Sequence, residues 1–248
     1  MDTQAGSEVI DPMSDMPLES HGNGLQARLN WLRAGVLGAN DGIISTAGVV
    51  VGVAAATPEP TAILVAGVAS VVAGAVSMAL GEYVSVSSQR DTERALIAQE
   101  RRELEEDPEG ELEELVEIYR RRGLTHSTAR QVAVELTALD PVAAHVSAEL
   151  GLDPHERTNP WHAAIASAVA FTVGALLPLL AVVLAPEAVR IPVTFAAVVI
   201  ALAITGSVSA RMGRARRLRA VIRLIFGGAL AMGVTFAIGA LLGATVVG

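Results

Sequence analysis

Apolar residues fall into five long runs along the chain, separated by one extended polar interval. The first runs from Trp31 or Arg33 to Ala56, and the second from Thr61 to about Tyr83, with no charge between Ala62 and Ala79. Three more cover about His162–Leu184, Ile191–Ser209 and Leu224–Val247. Each is close to the roughly 20 residues a helix needs to cross a bilayer. The pattern therefore predicts an all-α membrane protein with five transmembrane helices. A short turn, Thr57-Pro58-Glu59-Pro60, separates the first two spans, and Pro178 predicts a kink in the third by removing a backbone donor.

The polar interval predicts an acidic helical domain inserted between spans 2 and 3. The helix of span 2 continues past the apolar run to about Glu106 and breaks at Asp107-Pro108-Glu109-Gly110. A second helix is expected over Glu111–Arg122, stopped by Gly123. A third starts near Thr125, an N-cap, and ends near Leu139; a fourth opens at Asp140-Pro141 and closes at Gly151. The resulting division is residues 1–27 as a disordered tail, 28–90 as transmembrane helices 1–2, 91–160 as a cytosolic acidic metal-binding domain and 161–248 as transmembrane helices 3–5.

Charge then orients the chain. Arg28 and Arg33 precede span 1, and Arg90, Arg94, Arg101 and Arg102 follow span 2. Six arginines from Arg211 to Arg223 lie between spans 4 and 5, whereas the 57–60 loop and the C-terminal tail have none and the 185–190 loop has one. The positive-inside rule places the N-terminus and the acidic domain in the cytoplasm and the C-terminus outside. The same rule accounts for the 211–223 cluster better than a nucleic-acid partner does. The tail holds five acids and no base up to Ala27, unlike a secretory signal or an arginine-rich transit peptide. All 18 basic residues are arginine, a codon bias of GC-rich genomes, and both features point to a bacterial cell membrane. Cysteine is absent, which excludes disulfides and thiolate chemistry.

Four constellations offer chemistry. Glu100 and Glu103 share one helix face, Glu111 and Glu114 share the next, and the intervening turn folds one helix against the other. Ten acids lie from Glu100 to Glu117 with only Arg101 and Arg102 among them. A divalent or trivalent cation would relieve their repulsion, the alternative being a solvated acidic helix. His145 and Glu149, at i and i+4, are a further ligand pair. In span 1, Asp41 lies about 12 Å beyond Arg33 at ~1.5 Å per residue, inside the hydrocarbon, where a carboxylate needs a cavity or a partner. In span 2, Met78 and Glu82 stack a soft and a hard ligand where the apolar run ends. Small residues recur at four-residue spacing, as at Gly38/Gly42, Gly48/Gly52, Ser77/Gly81 and Gly239/Gly243, and permit close helix contacts within or between subunits.

The stretch Asn40-Asp41-Gly42-Ile43-Ile44-Ser45-Thr46, together with Ser77-Met78-Ala79-Leu80-Gly81-Glu82-Tyr83-Val84-Ser85, resembles the vacuolar iron transporter family. The likeness extends from about Asn30 to the C-terminus. It implies a homodimeric exporter of Fe²⁺ and related divalent metals such as Mn²⁺, Co²⁺ and Zn²⁺, driven by proton antiport. It also implies that Asp41 and Met78 line the path. The family's metal-binding glutamates correspond to Glu100, Glu103, Glu111, Glu114 and Glu149. Where the plant branch carries a methionine pair, this chain has His145 and Val146, so an imidazole stands where a thioether is expected.

The expected function is export of divalent metal from the cytoplasm, with no enzymatic activity and no cofactor beyond the metal carried. Metal would be gathered by the acidic helices, passed by Glu82 and Met78, and taken past Asp41. A membrane-anchored di-iron ferroxidase is a rival, but such bundles use Glu-x-x-His, which does not occur here. A metal sensor anchored by its spans is another, against which the buried Asp41 argues.

Overall fold

A computed structural model describes residues 23–153, 159–213 and 216–246, with side chains from Ala34 to Thr245. The rest of the predicted tail (residues 1–22) and Arg214 lie outside the described residues, as do the side chains of Arg28 and Arg33. Five helices are long and apolar enough to cross a membrane, and no strand occurs among the described residues. They are α1 (Asn23–Ala56), α2 (Pro60–Glu106), α6 (Pro160–Leu184), α7 (Arg190–Met212) and α8 (Arg217–Val246). Between α2 and α6 lie α3 (Pro108–Arg121), α4 (His126–Leu139) and α5 (Pro141–His145), the last continuing as a π turn, Val146–Leu150.

Helix α1 is the hub of the membrane part. One of its faces packs Ile43, Ala47 and Val51 against Val198 and Leu202 of α7 and Met232 of α8. Another sets Val50 among Ile63 and Val71 of α2 and Phe171, Ala175 and Leu179 of α6. Two close approaches depend on glycine. A Cβ on Gly42 would collide with the Phe171 carbonyl, and one on Gly239 would collide with the carbonyl of Gly52. The small-residue spacings of α1 and α8 are thus used inside the subunit. Gly81 of α2, by contrast, has open space around it. The α1 helix begins at Asn23, α7 extends to Met212, and α8 begins seven residues before its apolar run. Pro178 sits buried within a continuous α6.

Helix α2 has 47 residues, a length of about 70 Å at ~1.5 Å per residue, more than twice the ~30 Å hydrocarbon layer. Its distal half carries the polar domain. The break after Glu106 comes from Asp107, whose carboxylate accepts the Gly110 N–H at 2.9 Å, with Pro108 at the first position of α3. Helix α3 therefore starts three residues earlier than Glu111, because the Asp-Pro pair starts a helix rather than ending a loop. Thr125 caps α4 and Asp140 caps α5 through the Ala143 N–H at 3.0 Å. A small core of Leu115, Val116, Ala129, Ala133, Ala144 and Ala148 holds the three helices together.

Candidate functional sites

The first site lies on the α1–α2 face. Asp41, Ser45 and Val49 from α1 and Ala66, Ala69, Ser70, Ala73, Gly74, Ser77 and Met78 from α2 line an open groove of about 570 Å³, with Phe171 at its base. Phe171 fits there because Gly74 has no side chain; a Cβ would strike the ring. The Ser45 hydroxyl donates to Asp41 Oδ1 at 2.6 Å, holding the carboxylate along the groove. The structure thus brings Asp41 and Met78, 37 positions apart, to one surface. Glu82 is half-buried one turn beyond Met78 and is not among the groove's lining residues. Beside it Tyr83 of α2 meets Trp161 of α6, ring centroids 4.7 Å apart, the type of aromatic pair found at a membrane–water interface.

The second site lies in the polar domain. Glu100 of α2, Glu111 of α3 and His145 of α5 place ligand atoms within 4.8 Å of one another. His145 is completely buried and Glu100 is 4% exposed. His145 Nδ1 stands 3.1 Å from Glu100 Oε1 and 3.5 Å from Glu111 Oε2. Even so, neither ring nitrogen of His145 nor Glu100 Oε1 makes a hydrogen bond of acceptable geometry. Unpaired polar atoms this deeply buried are costly, and a cation among them would engage Glu100 Oε1 and one ring nitrogen of His145.

Electrostatics marks the same place. Burial pushes Glu100 up to about 7, helped by the nearby carboxylates of Glu149, Glu111 and Glu103. Glu111 is raised by burial and by Glu114, Glu103, Glu149 and Asp107. Glu149 is raised by burial and by Glu114, against which its hydrogen bond with Glu100 acts. Burial lowers His145, with Glu114 opposing, so the imidazole is neutral at pH 7 and keeps a lone pair for a metal. Three of the domain's arginines are paired away from this crowding. Among the described residues, Arg120 and Arg121 pair with Glu117, and Arg130 pairs with Glu113.

Of the predicted ligands, Glu100, Glu111 and His145 form the tight group, with Glu149 bonded to Glu100. Glu103 accepts from Gln99 at 3.0 Å and Glu114 is exposed; both act on the group through their charge. The His145/Glu149 pair, read from sequence as separate, joins the hairpin cluster because α5 packs back on α2 and α3. Two participants escaped the sequence reading. Ser45 is one, although its i+4 spacing from Asp41 allows the bond. Arg122 gave no signal, since its contact spans 26 residues.

Comparison with known proteins identifies the family. The profile of the VIT family matches residues 32–240. A vacuolar iron transporter of Acanthamoeba castellanii is 43% identical over 210 residues, covering 84% of this chain and 77% of that protein. Vacuolar iron transporter homolog 5 of Oryza sativa is 40% identical over 213 residues, covering 86% and 80%. Vacuolar iron transporter homolog 4 of Arabidopsis thaliana is 38% identical over 217 residues, covering 87% and 86%. Five apolar spans and a match over most of its length agree: the chain belongs to the VIT family, and is a membrane metal transporter rather than an enzyme.

Proposed function

We propose that the protein exports Fe²⁺, and related ions such as Mn²⁺, Co²⁺ and Zn²⁺, from the cytoplasm in exchange for protons. The observation that supports this best is the meeting of Asp41 and Met78 in one groove. A carboxylate binds either a cation or a proton, which antiport requires of a single group, and a thioether favours Fe²⁺, Co²⁺ or Zn²⁺ over Mg²⁺ and Ca²⁺. The acidic domain, on the cytoplasmic side by the arginine distribution, gathers metal at Glu100, Glu111, His145 and Glu149 and delivers it past Glu82.

The groove also bears on the assembly. Asp41 faces sideways out of the subunit, and a carboxylate left against lipid is costly. A second copy covering the α1–α2 face encloses the path, which supports a homodimer. The small exposed residues Ala69, Ala73, Ser77 and Gly81 allow two α2 helices to approach closely there. In a bacterial cell membrane this orientation expels metal; in a vacuolar membrane it would fill the compartment.

The test is flux. Purified protein in sealed liposomes, given Fe²⁺ on one side and an imposed pH gradient, is expected to move Fe²⁺ one way and protons the other. Fe²⁺ movement unaffected by the gradient would remove the antiport, and no movement at all would leave a metal sensor.

A further inference from the structure

The polypeptide that carries His145 and Glu149 is not an ordinary helix end. Residues Val146–Leu150 form a π turn, closed by Gly151 in the left-handed conformation at φ 65°. The N–H groups of Gly151 and Leu152 both return to the Val146 carbonyl. Such turns are rare and, where they occur, are frequent at functional sites. The closure on Val146 leaves the Ala148 carbonyl to be satisfied by other means, and Ala148 is only 7% exposed, with little access to water.

Arg122 supplies the partner. Its Nη2 donates to the Ala148 carbonyl, linking the end of α3 to the π turn across 26 residues. The guanidinium is itself steadied over the Tyr119 ring, 5.3 Å from its centroid, and Tyr119 packs on the core of the domain. The bond is charge-assisted and falls at a helix C-terminus, where a cation is favoured. It lands one residue before Glu149 and three after His145.

We propose that Arg122 is a positioning residue for the acidic metal site, clamping the π turn so that His145 and Glu149 face Glu100 and Glu111. It touches no metal; it fixes the backbone from which two ligands project. This rests on the reading of Glu100, Glu111 and His145 as a metal site. Partners of this kind typically change metal affinity by about 10- to 100-fold when removed.

Co²⁺ titrations of the full-length protein in detergent, followed by d–d absorption and calorimetry, test it. R122Q is expected to weaken Co²⁺ binding by about 10-fold or more and to alter the d–d spectrum, because ligand placement changes. R122K, which still donates to the carbonyl but lacks the flat fork, is expected to recover part of both. Parental affinity and spectrum in R122Q would overturn the assignment. So would a fall in metal-free melting temperature with affinity and spectrum retained, since that marks a purely structural contact. If R122Q does not fold, R122M decides, since it keeps the aliphatic stem but cannot donate: parental affinity and spectrum in it overturn the proposal. The double variant E100Q/E111Q separates failures. If it binds Co²⁺ as the parent does, the metal site itself is wrong and Arg122 has nothing to position.

Discussion

The two candidate sites are built on opposite principles. The groove at Asp41 is sparse: one carboxylate, one hydroxyl and one thioether on an open surface, between helices held by glycine contacts. The acidic site is crowded: buried carboxylates and a neutral imidazole held together against their own repulsion, with Arg120, Arg121 and Arg130 paired to other glutamates. A site that captures an ion from a dilute pool gains from many ligands and stored repulsion. A site that must release the ion on every cycle gains from few. On the proposed function, the contrast assigns affinity and passage to different parts of one continuous helix, α2, which contributes Met78 to one site and Glu100 to the other.

Breaking the sparse site is expected to have the largest effect. Asp41→Asn keeps shape and accepts the Ser45 bond but stays neutral, so Fe²⁺ flux in liposomes should fall to that of empty vesicles. Binding by the acidic site should persist. Exchange at the parental rate would make Asp41 a structural acid and move attention to Glu82.

Next is the crowded site. Replacing Glu100 and Glu111 by Gln removes two of the three converging ligands, and calorimetry should show metal affinity reduced by at least about 100-fold, with helicity retained. Flux at saturating metal should suffer far less than in Asp41→Asn. Equal losses in both variants would merge the two sites into one function.

Acidity sharpens the same contrast. Glu100 takes up a proton as the pH falls through about 7, and metal must then displace it. Affinity of the acidic site should therefore drop by about tenfold per unit below pH 7, for one proton displaced, and level off above it. The metal-free fold should behave the opposite way. Because the folded-state value for Glu100 is raised from 4.5, its contribution is complete below pH 4.5 and is lost as the pH rises through about 7. Melting curves should show the metal-free protein weakening from pH 5 to 8, with added metal stabilising most at the upper end. A flat profile in both measurements would mean that Glu100 does not titrate there.

The smallest effect is expected for Met78→Leu. The substitution nearly conserves volume and costs less than about 1.5 kcal/mol, so the protein should fold. Fe²⁺ flux should fall several-fold, while Mn²⁺, with less preference for a thioether, should be less affected. Unchanged Fe²⁺ flux would make Met78 part of the packing against the α1–α2–α6 core, which it also touches.

The sequence determined the class of fold directly. Runs of apolar residues long enough to span a bilayer admit few outcomes other than helices, because in lipid every backbone group must be satisfied within the segment. The Asp-Pro pairs at Asp107 and Asp140 and the glycines at Gly123 and Gly151 marked the turns of the polar domain, since capping is a local matter. Asp41, Met78 and the candidate glutamates stood out because a charge in hydrocarbon and a run of unpaired acids are anomalous without any reference to structure.

What the sequence did not contain is which of these residues meet. Shared helix faces and the hairpin turn suggested that Glu100, Glu103, Glu111 and Glu114 converge; the tertiary structure brings Glu100 and Glu111 together with His145 and leaves Glu103 and Glu114 acting through their charge. That selection follows from how α5 packs on α2 and α3, and side-chain periodicity along one helix has no knowledge of it. The meeting of Asp41 with Met78 across α1 and α2 depends likewise on the close approach of α1 to α6 at Gly42 and on Phe171 seated over Gly74. Arg122 was illegible for the same reason: its partner is a backbone carbonyl 26 residues away, and a carbonyl carries no sequence signal. Local pattern fixes elements and their ends, because both arise from neighbours along the chain. Only packing between elements decides which polar atoms are shut away from water together, and the chemistry of both sites begins there.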